Sequence, residues 1–195
     1  QLAGTFALLN SKDLVWSKMV RDYLMGERQP VTDLMGWNAD ATRLPFRMHG
    51  EYLRKLYLNN DLAEGRYEVA GKPVALSDIS VPLFVVGTVR DHVSPWRSVY
   101  KIHLLADTGI TFLLASGGHN AGIVSEPGHR DRSYQIATHP HDANYLDPDA
   151  WLAAAQRHDG SWWPAWHEWL AARSGKPVPP PAAAALGAAP GTYVL

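Results

Sequence analysis

Cysteine is absent from this chain of 195 residues. That excludes disulfides, Cys-ligated metals and a cysteine nucleophile supplied by the chain itself, and it is compatible with a reducing compartment. An excess of one charge is also lacking: 18 Lys and Arg stand against 19 Asp and Glu, a formal net charge of −1. The cations of GHRDRS and RKLY are scattered and form no basic stripe, so no nucleic acid or other polyanion is expected as a partner. No apolar run approaches the ~18 residues that a membrane-crossing helix needs. The first residues, QLAGTFALLN, lack the charged start of a secretory signal. With no initiating Met either, they suggest a piece of a longer, cytoplasmic protein. There is no internal repeat, and no serine sits in a G-x-S-x-G turn.

Two apolar runs of strand length are present, and the rest of the chain is organised around them. PLFVVG (residues 82–87) is bounded by Pro and Gly and reads as a buried strand that ends near Asp91-His92. TFLLAS (residues 111–116) reads the same way and ends at Gly117-Gly118-His119. Between them WRSVYKIHLL (residues 96–105) has the length and periodicity of a crossover helix. A strand–helix–strand unit makes the two strands parallel neighbours, and functional groups gather beyond the carboxyl ends of such strands. Those loops offer an Asp and a His 28 positions apart. Acid then histidine, each just after a strand, is the order of the last two members of an α/β-hydrolase triad. The nucleophile would lie upstream.

Elsewhere, Asn10 or Ser11 caps a helix through Leu24 that Gly26 ends. Residues 46–58 (FRMHGEYLRKLYL) make a second amphipathic helix, with Leu53, Leu56 and Tyr57 on one face. A small hairpin is expected around Gly71-Lys72 within residues 65–76. The segment EPGHRDRSYQIATHPHDANYLDP is polar and turn-rich, and is expected to be a long loop. Pro148 opens a helix over residues 149–158 that turns Trp151, Leu152 and Ala155 inward, and residues 163–173 form the last helix. The Pro- and Ala-rich tail is expected to be partly extended and mobile.

Several stretches together resemble the C-terminal part of class I polyhydroxyalkanoate synthases. They are LNSKDLVWSKMVRDYLMGERQP, WNADATRLP, VRDHVSPWRSVY, SGGHNAGIV and HDGSWWPAWHEWLA, in that order with similar gaps. The resemblance implies an α/β fold, the C-terminal portion of an α/β-hydrolase sheet of parallel strands with flanking helices, preceded by the end of a helical cap. On this basis residues 1–60 are the end of the cap with its return helix, 61–174 the hydrolase core and 175–195 the tail. In that family a cysteine is acylated by a 3-hydroxyacyl-CoA, with a His as base and an Asp supporting it. Matched motif by motif, those roles fall on His119 and Asp91. Where this chain reads SGGHNAGIV the family more often reads S-G-H-I-A-G, so the His keeps its place while an extra Gly and an Asn enter the loop.

The resemblance further implies transfer of 3-hydroxyacyl groups to a growing polyester, with no cofactor and with the acyl-CoA as substrate. It also implies association with the upstream half of the same protein, a homodimer, and residence at a polyester granule surface. The chain alone, without its nucleophile, is expected to be inactive. Two other outcomes fit the same residues: a non-catalytic interaction module, and a thioesterase or esterase sharing the triad. Trp37 is either a buried anchor of its loop or a wall of the acyl pocket or of a cap-mediated dimer contact, and His92 either lines the pocket or is an ordinary loop residue. His129, His139 and His141 have no third ligand at a usual spacing, so no metal site is expected. Trp162, Trp163, Trp166 and Trp169 lie partly at helical spacing, a pattern of core packing.

Overall fold

A computed structural model describes residue 8 and residues 11–27 and 44–180. The chain divides into two units, and the larger, Pro45–Ala182, holds the sheet. In the other unit the described element is helix α1 (residues 12–24). Its turns are wide, with N–H groups reaching five residues back, as from Met25 to Val20 at 3.0 Å. Gly26 follows at φ +67°, a conformation that glycine adopts without steric cost.

Helix α2 (residues 46–58) opens the larger unit behind Pro45. Leu53 and Leu56 are half-buried as the periodicity predicts, but Tyr57 is 80% exposed and does not share their burial. Strands β1 (Tyr67–Val69) and β2 (Lys72–Val74) form the small hairpin. Its turn is centred one residue earlier than expected, on Ala70 and Gly71 at φ 49° and 76°. Two successive positive φ values give the turn a twist that matches the flanking strands.

The sheet has four strands in the order β3-β4-β5-β6. Strand β3 (Leu83–Thr88) leads through helix α3 (residues 96–104) to β4 (Ile110–Ala115), and the two strands run parallel. This is the expected strand–helix–strand unit. Strand β5 (Ser133–His139) then pairs antiparallel with β4, and after helix α4 (Pro148–Ala154) strand β6 (Gln156–Asp159) pairs antiparallel with β5.

Both added strands correct the sequence expectation. The polar segment after His119 contains β5 because its polar side chains find partners inside the fold. Gln135 Nε2 donates to the carbonyl oxygens of Leu152 and Ala155, and the hydroxyls of Thr138 and Thr111 share a hydrogen bond of 2.9 Å. A buried polar group so satisfied costs little, and hydrophobicity alone does not reveal the strand. The helix expected over 149–158 stops at Ala154, where Ala155 turns to extended backbone (ψ 132°) and the chain enters β6. Helix α5 (Trp163–Ala171) completes the unit.

Each face of the sheet has its own core. On one, Phe112, Leu114 and Ile110 meet Tyr100 of α3 and Trp151 and Ala155 at α4, with Leu83 and Val85 beside them. On the other, Leu113 and Ala115 meet Trp162, with Phe84 and Val86 beside them. Strand β4 is therefore buried at every position, which is why its sequence is a continuous apolar run instead of an alternation. Fully burying a side chain such as Phe112 or Leu113 contributes roughly 1.5–3 kcal/mol. No helix among the described residues is long and apolar enough to cross a membrane.

Candidate active site

The ladder between β3 and β4 continues past both strands and brings their loops together. Val89 N–H donates to Ala115 O at 3.0 Å, and Arg90 N–H to Gly117 O at 2.8 Å. The next residue on one side is Asp91, and two residues on from Gly117 is His119. Nδ1 of His119 lies 2.9 Å from Oδ2 and 3.1 Å from Oδ1 of Asp91.

Asp91 carries two jobs at once. Its Oδ1 also accepts the backbone N–H groups of Val93 and Ser94 at 2.9 and 2.8 Å. That turn delivers the chain to Pro95, directly before α3. The carboxyl is nearly buried, with 9% of the side chain exposed, against 45% for His119. Burial alone raises its pKa. The Ser94 N–H, the His119 side chain and the Val93 N–H together outweigh burial and hold it below the usual carboxylate value. An ionised carboxylate only accepts hydrogen bonds, so Nδ1 of His119 carries the proton. Nε2 is then the nitrogen with the lone pair, without a hydrogen-bond partner among the described residues, on a side chain that is 45% exposed.

The loop bearing His119 is compact because two glycines allow it. Gly117 sits at φ +113°, and a Cβ there would lie 2.8 Å from Gly122 Cα. Gly122 N–H closes back on Gly118 O at 2.8 Å, while the N–H groups of Ile123 and Val124 converge on Asn120 O. From outside, the segment after β6 grips the same loop. Trp162 Nε1 donates to Gly122 O and Trp163 Nε1 to Ile123 O, each at 2.9 Å, and Ser161 Oγ donates to Ser125 O. Sequence reasoning assigned these indoles to packing and missed their hydrogen bonds. The one available signal was two adjacent tryptophans, which cannot both face one core from a helix.

The remaining candidates are dispersed. His92 is exposed beside Asp91, and Trp37 lies outside the described residues. His129 pairs with Glu126 and His141 with Asp107, while His139 Nε2 faces Ala143 O. A hollow of about 50 Å³ at the carboxyl end of β4, lined by Val89, Ser116, Ser133 and Arg157 among others, has room for water rather than an acyl chain.

An α/β sheet here holds an acid and an imidazole in contact beyond two adjacent parallel strands, the arrangement expected of the C-terminal part of an α/β-hydrolase. Over its whole length the chain is 40% identical to poly(3-hydroxyalkanoate) polymerase 2 of Ectopseudomonas oleovorans (202 residues, 35% of that protein). It is also 40% identical to the poly(3-hydroxyalkanoate) polymerase subunit PhaC of Cupriavidus necator (201 residues, 33% of that protein). Identity to the poly(3-hydroxyalkanoate) polymerase of Methylorubrum extorquens is 38% (199 residues, 32% of that protein). Over its whole length the chain is similar to poly(3-hydroxyalkanoate) polymerases, and it spans about a third of the length of the curated relatives it matches. No family model matches it.

Proposed function

We propose that this chain supplies the general base and its supporting acid to the acyl-transfer site of a polyhydroxyalkanoate polymerase. The observation that carries this is the Asp91–His119 hydrogen bond, which fixes the tautomer and leaves Nε2 of a partly exposed imidazole without a partner among the described residues. A cysteine on the remainder of the protein would give its thiol proton to Nε2. The thiolate attacks the carbonyl carbon of a 3-hydroxyacyl-CoA thioester, and CoA leaves as its thiol with the proton returned by the imidazolium. A hydroxyl of the next hydroxyacyl group then attacks the acyl-cysteine. Its proton passes to Nε2 and on to the cysteine sulfur as the ester forms. Asp91 stays ionised throughout and stabilises the imidazolium.

In this proposal His92 is a substrate contact at the rim of the site. No cofactor is needed, since each step moves only acyl groups and protons. The other two-thirds of the protein, and a second copy of it, complete the assembly at the surface of a polyester granule.

The test is made in the intact polymerase, following CoA release from 3-hydroxybutyryl-CoA. His119→Ala is expected to abolish turnover, by about 10⁶-fold if the pair behaves as serine triads do. Asp91→Asn is expected to cut turnover severely while leaving the protein folded. Full activity of Asp91→Asn together with a dead His92→Ala would overturn the assignment of the supporting acid.

A further inference from the structure

Residues 161–163 reach the His119 loop from the far end of the chain, and their contacts form a regular set. Strand β6 ends at Asp159, opposite Ser133, and Gly160 turns the chain at φ +94° with its N–H on Arg132 O at 2.7 Å. Ser161, Trp162 and Trp163 then donate side-chain hydrogen bonds to the carbonyls of Ser125, Gly122 and Ile123. Ser161 Oγ also accepts Trp163 N–H at 3.1 Å, which locks the three residues to one another. Trp162 and Gly122 are buried, as is Ser125.

None of these bonds touches His119 itself. They hold the backbone from three to six residues beyond it, on a loop otherwise tied down by the Arg90–Gly117 bond at its start, the Asp91–His119 contact and short-range turns. An indole is suited to this role, because its single N–H sits at the end of a rigid apolar plate that packing fixes independently. The plate of Trp162 is held by Leu113 and Ala115 of β4, the same strand from which the loop departs.

We propose that Trp162 and Trp163 are positioning residues for the base: their N–H groups clamp the loop and so set the imidazole of His119 against Asp91. This rests on His119 acting as the base. Removing the donors while keeping an aromatic ring in place would allow the loop, and Nε2 with it, to drift. A displacement of about 1 Å is enough to cost on the order of 10²-fold in rate.

The experiment compares Trp162→Phe, Trp163→Phe and His119→Ala in the intact polymerase. It reads kcat and KM for 3-hydroxybutyryl-CoA, the thermal midpoint, and the downfield proton resonance of the His119 Nδ1–H held by Asp91. In the Phe variants kcat is expected to fall about tenfold or more with KM little changed, while the downfield resonance shifts or broadens and the protein stays folded. Wild-type kcat and an unchanged resonance in both Phe variants would overturn the clamp. So would a loss of activity that tracks only the loss of folded protein with the resonance intact. Trp163 is only half-buried, so Trp163→Phe carries the test if Trp162→Phe does not fold. Activity surviving in His119→Ala would remove the base assignment itself, whereas a dead His119→Ala beside unaffected Phe variants removes the clamp alone.

Discussion

Gly122 is packed so closely on Thr88 that a Cβ there would lie 2.5 Å from Thr88 Cγ2, and Thr88 is itself 2% exposed. Three residues before it the loop carries His119, so one hydrogen atom's worth of space at Gly122 decides where the imidazole can be. Gly118 differs: its φ is not in the positive range and its nearest neighbour, Arg90 O, is 3.5 Å from a built Cβ. Gly122→Ala is expected to lower stability by about 1–3 kcal/mol, the usual cost of overpacking, and to displace the loop. Gly118→Ala is expected to stay within about 0.5 kcal/mol of the parent. Chemical denaturation of the two variants checks this; equal midpoints would mean that the loop backs off Thr88 freely.

Among the elements, α3 follows the Asp91 turn directly. It is docked by aromatic contacts among Trp96, Tyr100 and Trp151 and by the Tyr100 hydroxyl, which donates to Leu146 O at 2.9 Å. Burial, with Tyr145 and Asp147 nearby, pushes the Tyr100 phenol up to about 12. His103 stacks on that ring at 4.1 Å and meets His139 edge-on at 5.6 Å. Its Nδ1–H donates to Tyr100 O, so Nε2 carries the lone pair, and that atom is buried without a partner among the described residues. Burial, aided by the charge that His139 can carry, holds its pKa below the ordinary value against the pull of Tyr100 O. A depressed histidine pKa means that the folded state prefers the neutral ring. Its contribution to stability is therefore complete above about pH 6.5 and is lost as pH falls through the folded-state value. The thermal midpoint of the parent is expected to drop more between pH 7.5 and pH 5.5 than that of His103→Leu. Parallel decreases in the two proteins would show that His103 is not the group that titrates.

For the molecule as a whole, the outer edge of β3 is the feature with the widest consequence. The N–H groups of Leu83 and Val89 bond to Gly109, just before β4, and to Ala115 at its end, and a parallel ladder uses alternate residues. The backbone groups of Phe84 and Val86 therefore point away from β4, to an edge that carries no strand among the described residues. Half-buried apolar side chains line this edge, which favours association. The curated relatives are about three times as long as the chain, so the expected occupant is the remaining two-thirds of such a protein. The chain alone is expected to release no CoA from 3-hydroxybutyryl-CoA above a His119→Ala control. Mixed with the separately produced remainder bearing the cysteine, it is expected to co-elute in size-exclusion chromatography and recover acyl transfer. A chain that turns over substrate by itself, or a stable monomer that ignores the remainder, would be the contrary result.

Local chemistry was enough to read part of this from the sequence. The two apolar runs, the helix between them and the loops that follow each were legible because continuous hydrophobicity, chain length and Pro or Gly punctuation are properties of short segments. The same patterns placed Asp91 and His119 on neighbouring loops. Strand β5 was not legible, since half-buried Gln135 and exposed Thr138 give it no apolar alternation and find their partners Leu152, Ala155 and Thr111 only across tens of residues. Strand β6 was hidden for a related reason: QRHD has no strand pattern of its own and is held by its ladder to β5. The contact between Asp91 and His119, and the hold of Trp162 and Trp163 on the loop 40 residues earlier, depend on strand register and on the turn at Gly160. Composition and spacing determine which residues can do chemistry. Distances between groups far apart in the chain are fixed by the sheet, because only tertiary pairing converts sequence separation into geometry.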